Sequence, residues 1–142
     1  MLRVIYGNKG SGKTKQLLDL ANSVQSTSKG SVVFIDSDKD CMFGLSHCIR
    51  FVDASEFHID GPKMFAGFIA GIAAQDYDLE YIFIDSFSNI VRHPVETLQG
   101  FFEYLDSFTE TSDVKLYVGI AAESAAHLPE FFRKYTEESE SV

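Results

Sequence analysis

The eight residues Gly7-Asn8-Lys9-Gly10-Ser11-Gly12-Lys13-Thr14 constrain this chain more than any other stretch. They fit G-x-x-x-x-G-K-[ST] at every fixed position, a coincidence expected in about one chain of this length in 200 at average residue usage. The setting fits as well. Residues 2–6 are a short β-branched run that predicts a buried strand, and residues 13–26 carry Leu17, Leu18, Ala21 and Val24 at helical spacing. A strand that runs through glycines into a helix lets successive main-chain N–H groups turn inward around an anion. The helix start adds its own unpaired N–H groups and partial positive charge.

The remaining pattern extends the alternation. Apolar runs at 32–35, 48–52, 81–84 and 114–120 predict four more strands, most of them apolar on both faces. Residues 62–75, 94–108 and 128–135 predict helices, with Phe65, Phe68, Ile69 and Ile72 on one stripe and Phe101, Phe102 and Leu105 on another. Residues 37–47 are polar and read as a loop or an irregular turn of helix. The order is β-α-β, so the fold class is α/β: about five mostly parallel strands with helices on both faces. A chain of 142 residues that is 45% hydrophobic suits one core. Residues 1–135 are read as a single domain, and 136–142 as an acidic, flexible tail.

With these residues in place, the chain resembles the P-loop NTPase superfamily, whose three-layer fold and triphosphate chemistry are then the expectation. The resemblance implies that the backbone of Gly7, Asn8, Lys9, Gly10, Ser11 and Gly12 cradles phosphates. It also implies that Lys13 reaches the β- and γ-phosphates and that Thr14 binds Mg²⁺. Tyr81-Ile82-Phe83-Ile84-Asp85 looks like the superfamily's Walker B element, with Asp85 as the second metal residue. Ser86 follows Asp85, which is similar to the RecA and KaiC-type branch. In that branch a Glu at the end of the strand after the P-loop helix activates water, and here Asp36 or Asp38 takes its place. The chain also resembles short bacterial P-loop proteins. The Asn-Lys-x-Asp signature of GTP-selective members is missing after the fifth strand, where Ile120-Ala121-Ala122-Glu123 stands, so ATP is expected over GTP. The implied function is Mg-dependent ATP binding by a slow NTPase or nucleotide-dependent switch. The alternatives are a small-molecule kinase and a nonenzymatic adaptor with a structural nucleotide.

Charge and cysteine usage narrow the partners. The net charge of −9 opposes nucleic acid as a main partner, and the tail's Glu137, Glu138 and Glu140 supply only a third of it. Two cysteines, Cys41 and Cys48, do not make a disulfide framework, which points to a reducing cytoplasm. Cys48 is expected as a core thiol. The longest run free of polar side chains, residues 64–74, is too short to span a membrane, and the first residues do not form a signal peptide. Arg92, before Pro94, is read as a surface arginine in preference to an arginine finger. Aromatic surface around Phe131, Phe132 and Tyr135, if exposed, would mark contact with a protein partner or a second copy of the chain.

Overall fold

Five runs of β-branched and aromatic residues pair into one sheet. They are β1 (Leu2–Gly7), β2 (Ser31–Asp36), β3 (Arg50–Asp53), β4 (Leu79–Ile84) and β5 (Lys115–Ala121). All neighbours are parallel, in the order β1-β5-β4-β2-β3. The computed structural model describes residues 1–140 apart from Lys9 and Ser11, with the side chains of Ala125 and residues 137–140 left out. The helices are α1 (Lys13–Thr27), α2 (Gly61–Gln75), α3 (Phe87–Val91), α4 (Gln99–Ser112) and α5 (Arg133–Glu140).

Strand alternation divides the core into two unequal halves. One face turns Val4, Ile35, Ile82, Ile84, Leu116 and Val118 toward α2, α3 and α4, where Phe65, Phe87 and Phe102 are fully buried. The other face turns Ile5, Phe34 and Phe83 toward α1, through Leu17 and Ala21. On that second face the rings of Phe51, Phe34, Phe83 and Tyr117 stack strand by strand, with centroids 5.0–6.4 Å apart. Each such pair adds about 0.5–1.5 kcal/mol beyond its buried area. The fold is therefore α/β, with all five strands parallel and helices on both faces of the sheet.

Within 37–47, expected as a loop or an irregular turn of helix, Met42–Gly44 form a short 3₁₀ turn. The element boundaries depart from the sequence pattern in three places. The third strand begins at Arg50, so Cys48 lies outside it and is exposed rather than a core thiol. The stretch expected as a helix from Pro94 opens instead with a 3₁₀ turn, Val95–Thr97, and α4 starts at Gln99. The C-terminal segment forms a 3₁₀ turn, Glu130–Phe132, followed by α5, which runs to Glu140 across the expected start of a tail. Thr136 is buried there, with its hydroxyl donating to the Arg133 carbonyl. The cause is Phe132 and Tyr135, both buried against Phe102, which anchor the start of the helix. Residues 141 and 142 lie outside the described residues.

Candidate functional site

The glycine loop leaves β1 at Gly7 and enters α1 at Lys13. Gly10 and Gly12 adopt φ of 87° and 89°, the left-handed region that a side chain resists, and a Cβ on either would meet open space. Glycine is required there by the backbone path rather than by crowding. Gly12 is the N-cap of α1, and no acid occupies the first turn of that helix. Lys9 and Ser11, expected in the cradle, lie outside the described residues.

Three acids stand in a row at the C-terminal ends of β4, β2 and β3. Asp85, Asp36 and Asp53 are all buried, at 2%, 4% and 8% exposure. Their positions follow from register. Ile35 pairs with Ile84, and Asp36 with Asp53, so parallel strands bring each acid beside the next. Asp85 receives the Thr14 hydroxyl on Oδ2 at 2.6 Å and the Ser86 N–H on Oδ1 at 2.8 Å. Thr14 and Asp85, 71 residues apart, are thus brought together at the mouth of the glycine loop. Asp36 accepts from the Ser37 N–H at 2.6 Å and from the Cys41 thiol at 3.1 Å. Burial is the main reason its carboxyl is held above the usual carboxylate range, and the charge of Asp85 adds to that. The Ser86 hydroxyl lies against Asp36 and partly offsets the shift. Burial, and the hydrogen bond to Asp36, push the Cys41 thiol up, so it is not a thiolate at neutral pH.

Asp38 goes elsewhere. It is exposed and its carboxylate caps the Asp40 N–H at 2.9 Å, so the structure groups Asp36 with Asp85 and leaves Asp38 in the loop. Asp53 was not singled out from the sequence, although an acid closing an apolar run was the same signal that marked Asp85. Asp53 is committed to structure: its carboxylate takes the Ser55 N–H and hydroxyl and pairs with Lys39 at 2.9 Å. Those bonds, the Ser55 hydroxyl first, hold its carboxyl below the usual range.

A second residue the sequence reading passed over is Gly119. Strand β5 lies between the loop strand β1 and the acid strand β4, so a side chain at Gly119 would press on both α1 and Asp85. An added Cβ at Gly119 would come 2.8 Å from Leu17 Cδ1, 3.3 Å from Asp85 Oδ1 and 3.5 Å from Lys13 Cδ. The available signal was a glycine inside a strongly apolar strand, which marks close approach of another group.

A cavity of about 540 Å³ at the loop mouth is lined by Asn8, Lys13, Thr14, Asp85, Asn89 and Gly119, among others, and Asp36 stands outside its lining. Thr14 and Asp85 offer hard oxygen donors of the kind Mg²⁺ takes. No group of three or more His, Cys, Asp or Glu able to hold a metal occurs among the described residues. A metal here would fit the mode in which one or two protein oxygens share it with substrate phosphates, not a protein-only cage. Among the described residues, no helix is long and apolar enough to cross a membrane. The chain matches no family model and no curated protein.

Proposed function

We propose that this protein binds ATP with Mg²⁺ and acts as a slow NTPase or nucleotide-dependent switch of the P-loop kind. The observation that carries the reading is the 2.6 Å contact of Thr14 Oγ1 with Asp85 Oδ2, placed where the glycine loop opens. The loop and the strand-end acid that the P-loop resemblance pairs meet at one point, and that point has hard-oxygen chemistry.

In this reading the loop N–H groups and the start of α1 hold the phosphate chain, and Lys13 balances the charge of its outer oxygens. Thr14 and Asp85 hold the metal, which when bound neutralises charge on the β- and γ-phosphate oxygens. Asp36 stands next to Asp85 on the neighbouring strand. Its raised proton affinity suits a base that takes the proton of a water attacking the terminal phosphorus. That attack breaks the bond from the γ-phosphorus to the bridging oxygen and leaves ADP and phosphate. Asp38, exposed and capping a turn, has no part in this scheme. The free thiols of Cys41 and Cys48 suit a cytoplasmic location.

A thermal-shift panel tests the reading. ATP with Mg²⁺ raises the melting temperature well above that seen with AMP, and EDTA removes most of the gain, since a ligand bound only by the native state stabilises by RT ln(1 + [L]/Kd). Equal shifts for ATP and AMP, or no shift with either, would overturn it.

A further inference from the structure

A second cavity of about 310 Å³ adjoins the first, and Asn89 lines both. It lies over the ends of β2 and β3, on the side of Asp85 away from the glycine loop. Its polar lining consists of Ser37, Ser55, His58, Asn89 and Arg92. No Asp or Glu lines it, in a chain with 21 acids. The acids at the adjoining strand ends are already engaged, Asp36 by Ser37 N–H and Cys41, and Asp53 by Ser55 and Lys39.

The donors are largely unspent. Arg92 uses one N–H on the Ile59 carbonyl at 3.1 Å, leaving four of its five. The His58 ring, the Asn89 amide and the Ser37 hydroxyl have no hydrogen-bond partner among the described residues. His58 and Arg92 both sit in the left-handed region, at φ 54° and 60°, as the residues that end the 3₁₀ turn Ala54–Phe57 and α3, where that conformation is common.

We propose that this cavity binds the phosphate group of a small phosphomonoester, held by Arg92, His58 and Asn89 beside the nucleotide. A planar guanidinium with several neutral donors around it matches the three outer oxygens of a phosphomonoester. The volume leaves room for a short carbon chain as well as the phosphate. The placement next to a nucleotide rests on the function proposed above, but the anion site itself does not.

The test is calorimetric titration with glycerol 3-phosphate, glycerol as the blank, and no nucleotide present. Wild type binds the phosphate ester and not glycerol. Arg92→Gln weakens binding by about tenfold or more, the loss of a charge-assisted contact. Lys13→Ala leaves it within about twofold, since Lys13 lines the nucleotide cavity and not this one. His58→Gly supplies the control for folding. Glycine relieves the left-handed backbone, so this variant melts above wild type and still loses affinity. Mg-ATP continues to protect Arg92→Gln from unfolding, which separates failure of this site from failure of the nucleotide reading. No binding by wild type, binding unchanged in Arg92→Gln, or binding abolished in Lys13→Ala would overturn the proposal.

Discussion

Asp36 carries the sharpest conflict between stability and chemistry at the level of single residues. Its carboxyl is held above the usual range by burial first and by Asp85 second. A folded value above the unfolded one means that folding takes up a proton. Native stability therefore falls as pH rises from the ordinary carboxylate value of 3.8 through the raised one, and above that window the buried charge is a standing cost. Asp36→Asn removes it. The amide oxygen still accepts the Ser37 N–H, and the Cys41 thiol turns from donor to acceptor. The variant is expected to melt above wild type at pH 7, with the gap closing as pH drops below the ordinary range. Phosphate release from ATP should fall by about 10²-fold or more as the base is lost. A variant that melts at or below wild type at neutral pH would contradict the account of Asp36. Loop residues tell a complementary story. Gly10 and Gly12 were legible from the motif because their role is a backbone conformation, which residue type alone encodes. Asp36 and Asp38 were left as alternatives because two strand-end acids two residues apart look alike in sequence, and only the turn decides which one stays with the sheet.

Strand β5 decides whether the site closes. Its apolar run was plain in the sequence, yet its place between β1 and β4 was not, because strand order depends on pairings between distant segments that periodicity does not report. That placement is what makes Gly119 matter. Gly119→Ala sets a methyl group 2.8 Å from Leu17 Cδ1 and 3.3 Å from Asp85 Oδ1. The expected cost is about 1–3 kcal/mol of stability, the usual result of overpacking, with weaker Mg-ATP binding. Leu17→Ala, at a fully buried position on α1, costs about 2–5 kcal/mol. The double variant should lose less than the two costs together, because removing Leu17 Cδ1 vacates the space the new methyl needs. Urea unfolding of the four proteins in the cycle reads this directly, and strict additivity would show that β5 does not press on α1 in this way. The helices were less legible than the strands. The start of α4 moved past the 3₁₀ turn at Val95–Thr97, and α5 extended through residues read as a tail once Phe132 and Tyr135 had been anchored on Phe102. In both cases the boundary is set by tertiary packing and local turn geometry, not by the apolar stripe.

The whole molecule is lopsided in a way that serves the site. The other helices pack on one face of the sheet, while α1 provides the helical cover of the other and also carries the phosphate loop at its start. Loop, helix and β5 are therefore packed together, and the acids of β4 and β2 are placed beside them by parallel register. The α/β class followed from the alternation of apolar runs, and the meeting of Thr14 with Asp85 from the P-loop resemblance that pairs the two motifs. The donor-lined cavity beside them was invisible in sequence, since its residues come from three separate stretches, none of which carries a motif. The central claim is that this assembled corner grips a triphosphate. Isothermal titration of Mg-ATP into wild type and Lys13→Ala measures it most directly. The account predicts one site per chain in wild type and at least about a tenfold loss in the variant, as expected when a charge-assisted contact is removed. Equal affinity in the two proteins, or no heat of binding in wild type, would contradict it.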